Sequence, residues 1–219
     1  MKEKQLIIVG AGDLGREIFY SAIENKTTDK SGGITPSYFI DENERKVGTV
    51  LEGIEVLSFH QLKNVFESGT VFILSVSDPI DRRKIYETLL KFIPNAIFKN
   101  VIHKSVVIMP NVIIGHGVFI APNSTVAINT KIGNHTVINQ NCSVGHDCVI
   151  SDHSILSPGS ILSGNTNIGK GVFLGSGVIT YPGISIADGC SISSGVVVSR
   201  NIKYKSKHIL KPNTMILPG

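Results

Sequence analysis

Residues 138–168 read INQNCS VGHDCV ISDHSI LSPGSI LSGNTN I, and a cut every six residues puts Ile138, Val144, Ile150, Leu156, Leu162 and Ile168 at the head of each piece. The same cut runs outward without insertion or deletion from Ile102 to Val198; of these 17 positions, 16 are Ile, Leu or Val, and the exception is Thr180. The fifth position of the hexad is restricted too, as in Val118, Ser124, Thr130, Thr136, Cys142, Cys148 and Ser154. One large and one small inward residue in every six is the mark of a β-helix built from hexapeptides. An amphipathic α-helix would need a 3.6-residue period, and separate hairpins would not hold one register for about 100 residues.

Three hexads make one triangular coil, so residues 18 apart stack. Asn111, Asn129, Asp147, Asn165 and Gly183 then form one corner column, and Asn123, Asn141, Gly159, Gly177 and Gly195 form another. Asn, Asp and Gly tolerate the left-handed backbone of a tight corner, which is why they collect there. Known hexapeptide proteins wind left-handed, an exception to the right-handed crossover rule. The expected fold of residues 99–219 is therefore a left-handed parallel β-helix.

A smaller α/β unit precedes it, over residues 1–98. Its start, KEKQLIIVGAGDLGREIFYSAIEN, reads as a buried strand, a glycine turn and a helix. A second strand is expected at Tyr38–Ile40, ending in Asp41, and a third at Thr70–Ser75. A second helix spans Pro79–Phe92, with Pro79 at its first turn. This alternation implies a small parallel, Rossmann-like sheet. Thr27–Pro36 is a polar loop beside the turn, and Lys99–Val101 is the junction between the two parts.

Composition narrows the function class. Only 17% of residues are charged, in keeping with a repeat whose surface is made of glycine and neutral polar groups, and the net charge of +4 is diffuse outside the tail Lys203, Lys205, Lys207 and Lys211. Such a distribution suits an anionic small molecule better than a nucleic acid. The opening residues run into a strand without a signal-type segment, and no run of 18 apolar residues occurs, so no membrane span is expected. Cys142, Cys148 and Cys190 lack CxxC spacing and fall at the small inward position, so they read as core packing in a reducing cytoplasm.

Two places could carry chemistry. Gly10, Gly12 and Gly15 match GxGxxG between a strand and a helix, with Asp41 ending the next strand. Such a turn can meet a phosphate, a dinucleotide or nothing but its own packing, and 98 residues are short for a full dinucleotide domain. In the β-helix, His146 stands beside Asp147 at a corner, with Gly164 one coil on. A histidine next to an acid can accept a proton near neutral pH; equally, it could be one more polar corner, since His116, His135 and His153 also occupy turns. His135 and His153 lie 18 apart and read as a solvated stack, two ligands being too few for a metal.

The block Cys142–Gly164, CSVGHDCVISDHSILSPGSILSG, and the following NTNIGKGVFLGSGVI resemble the bacterial family of sialic acid O-acetyltransferases and UDP-amino-sugar N-acetyltransferases. GAGDLGRE and YFIDEN resemble that family's nucleotide-sugar-binding domain, so the likeness covers nearly the whole chain. It implies an acetyl-CoA-dependent acyltransferase acting on a sugar or nucleotide-linked sugar. His146 would be the general base, Asp147 its support, and the backbone at Gly164 a contact of the thioester carbonyl. Gly175, Ser176 and Ser194 match positions along the pantetheine arm between subunits of a homotrimer; Gly12, Asp13, Leu14, Asp41 and Glu42 match acceptor-binding positions.

The chain departs from the family in several places. Where relatives often read GASGHG, it has Gly12, Asp13, Leu14 and Gly15; Ser77 stands for a glycine after the third strand; Ile155 stands for a histidine that touches the donor; and HILKPNTMILPG replaces VGxPAK. Two other classes remain open to the residues alone: a silent trimeric sugar-binding scaffold, and a nucleotide-dependent oxidoreductase using the first turn.

Overall fold

A computed structural model describes residues 4–26 and 34–203. Most of the Thr27–Pro36 loop, three of the four tail lysines and the terminal HILKPNTMILPG lie outside the described residues.

In the N-terminal part, β1 (Lys4–Val9) is followed by α1 (Asp13–Lys26), β2 (Ile34–Ile40), β3 (Val50–Leu51), β4 (Ile54–Leu57), α2 (Leu62–Val65), β5 (Val71–Leu74), α3 (Pro79–Phe92) and β6 (Ile97–Phe98). They build one six-stranded sheet of order β3-β4-β2-β1-β5-β6, parallel except for the β3–β4 pair. The run LIIV at Leu6–Val9 is almost wholly buried, as a central parallel strand covered on both faces must be. Asp78 caps α3 by accepting from the backbone N–H groups of Ile80 and Asp81, with Pro79 just inside the helix. The β3–β4 hairpin was not legible in the sequence: its turn rests on Glu52 at φ 50° and Gly53 at φ 81°, and its strands are too short to show a period.

From Val101 to Val198 the chain forms 17 two-residue strands, β7 (Val101–Ile102) to β23 (Val197–Val198). They stack in three parallel sheets, as in a left-handed β-helix. Each strand pairs with the one 18 residues on, Phe119 with Val137 and Ser143 with Ile161 for example. From Val126 to Val198 every hexad-leading residue is buried, and so is every fifth-position residue from Val118 to Val196. Thr180, the one polar leader, is fully buried and accepts from the Ser163 N–H at 3.1 Å. The fourth hexad position has positive φ at all 15 places from Asn111 to Gly195, the corner conformation expected for Asn, Asp and Gly. The 18-residue register ends at Ile202, which bridges to Ile186, 16 residues back.

The two parts share a core. The first residue of each strand points outward, and on the first sheet Val101, Phe119, Val137 and Ile155 are covered by Leu14, Ile18 and Phe19 of α1 and the sheet beneath. The same packing carries α3 to the corner between the third and first sheets, where the Arg82 Nε donates to the His135 carbonyl at 2.8 Å. This overturns the expectation for His135 and His153. His135 is only 2% exposed and stacks on His153 with ring centroids 4.9 Å apart, beneath Tyr86 and Phe98. Being covered by a second element is not a property of the repeat, so the period could not show it.

Burial, with His153, Arg82 and His116 nearby, pushes the His135 imidazole down to about 3. An unfolded histidine titrates near pH 6.5, so the native state binds fewer protons below that pH. The stability that neutral His135 contributes is complete above pH 6.5 and is lost as pH falls toward 3, by up to roughly 1.4 kcal/mol for each pH unit. We expect His135→Asn, which suits the corner φ of 56° and cannot titrate, to lose stability less steeply in urea melts between pH 6.5 and 4. Equal slopes in the two proteins would refute this.

Candidate active site

His146 and Asp147 lie at the corner joining the second sheet to the third, between β14 (Ser143–Val144) and β15 (Val149–Ile150). Asp147 takes the left-handed conformation, φ 56°, that closes the corner. The side chains meet, His146 Nδ1 to Asp147 Oδ2 at 2.7 Å, with both open to solvent. The hydrogen bond from His146, and after it one from Asn129, holds the Asp147 carboxyl below the usual carboxylate range. An ionised acid on Nδ1 favours the tautomer that leaves Nε2 free to accept a proton.

Gly164 explains where that nitrogen lies. A Cβ built on Gly164 would stand 2.5 Å from His146 Nε2 and 2.6 Å from Cε1. The imidazole therefore occupies the space that a side chain at 164 would take, one coil away, and Gly145 in turn abuts the Gly164 N–H. Gly175 stacks in the same manner on Ser194, whose N would be 2.5 Å from a Cβ at 175.

The sequence-derived residues do not all converge within one chain. Gly175, Ser176 and Ser194 follow strands of the first sheet, so they occupy the corner between the first and second sheets, one edge away from His146. Gly12, Asp13, Asp41, Glu42 and Ser77 gather elsewhere, at the carboxyl ends of β1, β2 and β5. There β1 lies between β2 and β5, so the chain reverses its direction of winding at β1, the place where open α/β sheets form a ligand crevice. Gly12 is the glycine of the turn whose Cβ would meet nothing within 4 Å; Gly10 and Gly15 are required by Ser75 and by the Gly10 carbonyl. The open side of Gly12 leaves room for another molecule to approach the backbone.

Three of the expected site residues have other contacts in the structure. Ile155 is 1% exposed in the core shared by the two parts, so its side chain is closed to any ligand. Leu14 packs into the same core and offers only its backbone. Asp41 is occupied: Oδ2 accepts from the Ala11 N–H at 2.8 Å and lies 3.4 Å from Lys46 Nζ, and Oδ1 accepts from the Asn43 N–H. Its first task is to brace the glycine turn. Lys46, which also donates to the Ala11 carbonyl at 2.9 Å, was missed because it lies in an aperiodic loop.

A second cleft, of about 1150 Å³, runs between the start of α3 and the later coils, from Ser77 and Arg83 to His153, Lys170 and Ser191. The three cysteines are buried, and burial pushes the Cys142 thiol up to about 11, so it serves as packing. Among the described residues no three His, Cys, Asp or Glu side chains come together to hold a metal, and no helix is long and apolar enough to cross a membrane.

Comparison with known proteins agrees with this architecture. The model of the bacterial transferase hexapeptide (six repeats) matches residues 129–164 and 165–200. No curated protein sequence matches the chain. Among solved structures, the acetyltransferase domain of PglB from Neisseria gonorrhoeae FA1090 is 24% identical with a TM-score of 0.81, over 93% of this chain and 95% of that one. The same domain has been solved in complex with acetyl coenzyme A. PerB from Caulobacter crescentus, in complex with CoA and GDP-perosamine, is 25% identical with a TM-score of 0.77 over 90% of each chain. WeeI from Acinetobacter baumannii AYE is 25% identical with a TM-score of 0.80, over 92% of this chain and 93% of that one. Residues 129–200 thus match the hexapeptide repeat of bacterial transferases, and the chain shares its fold over nearly its whole length with these three structures.

Proposed function

We propose that the chain is an acetyl-CoA-dependent acetyltransferase that modifies a sugar or nucleotide-linked amino sugar in the cytoplasm, by direct transfer with His146 as general base. The observation that carries the reading is the His146–Asp147 pair seated on Gly164, in a chain whose fold matches structures solved with acetyl coenzyme A or with CoA and a nucleotide sugar. We divide it into a Rossmann-like acceptor domain, 1–98, and a left-handed β-helix, 99–219.

Acetyl-CoA supplies an activated acyl carbon. His146 Nε2 takes the proton of the acceptor hydroxyl or amine as that group attacks the acyl carbon, and Asp147 holds Nδ1–H and stabilises the imidazolium; as the tetrahedral intermediate collapses the C–S bond breaks, and the imidazolium returns the proton to the sulfur so that CoA leaves as the thiol. Backbone at Gly164 polarises the thioester carbonyl. Gly12, Asp13 and the Leu14 backbone, with Glu42 and Ser77, bind the acceptor, and Asp41 braces their turn. Gly175, Ser176 and Ser194 line the donor. Because those residues and His146 occupy different corners of one prism, a complete site needs two prisms side by side, which a homotrimer provides. Outward Ile161, Ile179 and Val197 on the second sheet are 41, 36 and 52% exposed and form an apolar surface for such contact.

The test is thiol release from acetyl-CoA over a panel of nucleotide-linked amino sugars and sialic acids, with mass measured by light scattering. We expect release that depends on one acceptor class, from a particle of three times the 23.6 kDa chain. No acceptor-dependent release across the panel would favour a sugar-binding scaffold instead; full activity from a monomer would remove the shared site.

A further inference from the structure

We infer that Asn129, one coil before the acid, is a positioning residue for the base, a reading that rests on His146 acting as proposed. Asn129 Nδ2 donates to Asp147 Oδ1 at 3.0 Å, while Oδ2 of the same carboxylate receives His146 Nδ1 at 2.7 Å. Each oxygen of the acid thus has one partner, and the two bonds together fix its plane. The amide is itself oriented from the far side, because its Oδ1 accepts from Asn111 Nδ2 at 3.3 Å. An ionised carboxylate only accepts, so the amide cannot turn over without losing both contacts.

The backbone supplies the geometry. Asn111, Asn129 and Asp147 have φ of 60, 59 and 56°, so their side chains leave equivalent corners at successive levels of the stack. The ladder runs from amide to amide to acid to imidazole, and ends on the nitrogen over Gly164. Asp147 is 44% exposed, so packing alone does not fix its carboxylate. Without Asn129 the carboxylate would rotate in water, Nδ1 would lose its steady acceptor, and the imidazole would divide between tautomers, one of which has its proton on Nε2 and cannot act as the base.

Asn129→Gly tests this, and the fold should accept it, since Gly183 occupies the same column at φ 73°. We expect kcat to fall about tenfold, the scale of one hydrogen bond to a charged group, with KM for donor and acceptor near wild type. The ¹⁵N signals of the His146 ring should move from the Nδ1–H tautomer toward a mixture. Asn129→Asp, which keeps the shape but sets a second carboxylate against Asp147, should slow turnover at least as much and move the acidic limb of the kcat profile to higher pH. Unchanged ring signals in folded Asn129→Gly would overturn the inference, whatever its turnover; should that variant fail to fold, the ring signals of Asn129→Asp decide in the same way. Ring signals that move while turnover stays at the wild-type level would uphold the positioning and remove His146 as the base.

Discussion

His146→Ala is expected to lower kcat by roughly 10²–10⁴-fold, the usual range for a general base, with the fold and the acetyl-CoA affinity close to wild type. The side chain is 57% exposed, so truncation opens no cavity and costs little stability. Donor binding, assigned to backbone and to the corner of a neighbouring prism, does not use the imidazole. The acceptor must still lose a proton to attack, so the loss falls on turnover, with partial recovery at high pH where a solvent base can substitute. Steady-state kinetics with the true acceptor and calorimetric titration of CoA check both halves. Near-normal turnover would return the β-helix to the scaffold reading.

Gly164→Ala is expected to cost about 10²-fold in kcat, the effect of moving a reacting group by about 1 Å, although one methyl group is added and no acid–base group is lost. That methyl would come within 2.5 Å of His146 Nε2, and the imidazole must swing aside. Because His146 is exposed, the swing is easy and the melting temperature should hardly change. What is lost is the alignment of Nε2 with the acceptor and the 2.7 Å contact with Asp147. Gly164 has no positive φ to protect, so backbone strain would not account for the loss. Wild-type turnover in Gly164→Ala would show that the ring's seat on the backbone is not what places the base.

The second cleft, beside α3, touches neither His146 nor Gly164, but Ser77 forms one of its edges. It therefore extends the crevice at the carboxyl ends of β1 and β5 toward the later coils. Its lining carries both signs of charge, Arg83, Lys84 and Lys170 beside Asp78, Glu87, Asp152 and Asp188. The N-terminal backbone of α3 is less available, since Asp78 already occupies two of its N–H groups.

Much of the molecule was legible in the sequence, because its determinants are local and repeated. An aliphatic residue every six positions and Asn, Asp or Gly at each corner specify coil, register and inward face from Ile102 to Val198, each coil repeating the demands of the last. The same register put His146 beside Asp147 and one coil from Gly164. Tertiary structure alone decided the fate of the outward positions, which the repeat leaves free. Val137 and Ile155 are buried, while Ile161 is open to solvent, although all three are outward residues of the same period; the difference is the docked α1 and its sheet. His135, read as a solvated corner, lies under α3 for the same reason, and Asp41 is occupied by an aperiodic loop's lysine. A period records what the chain demands of its own next coil; burial between two separate elements depends on shape and packing over long sequence distances, and it leaves no period to read.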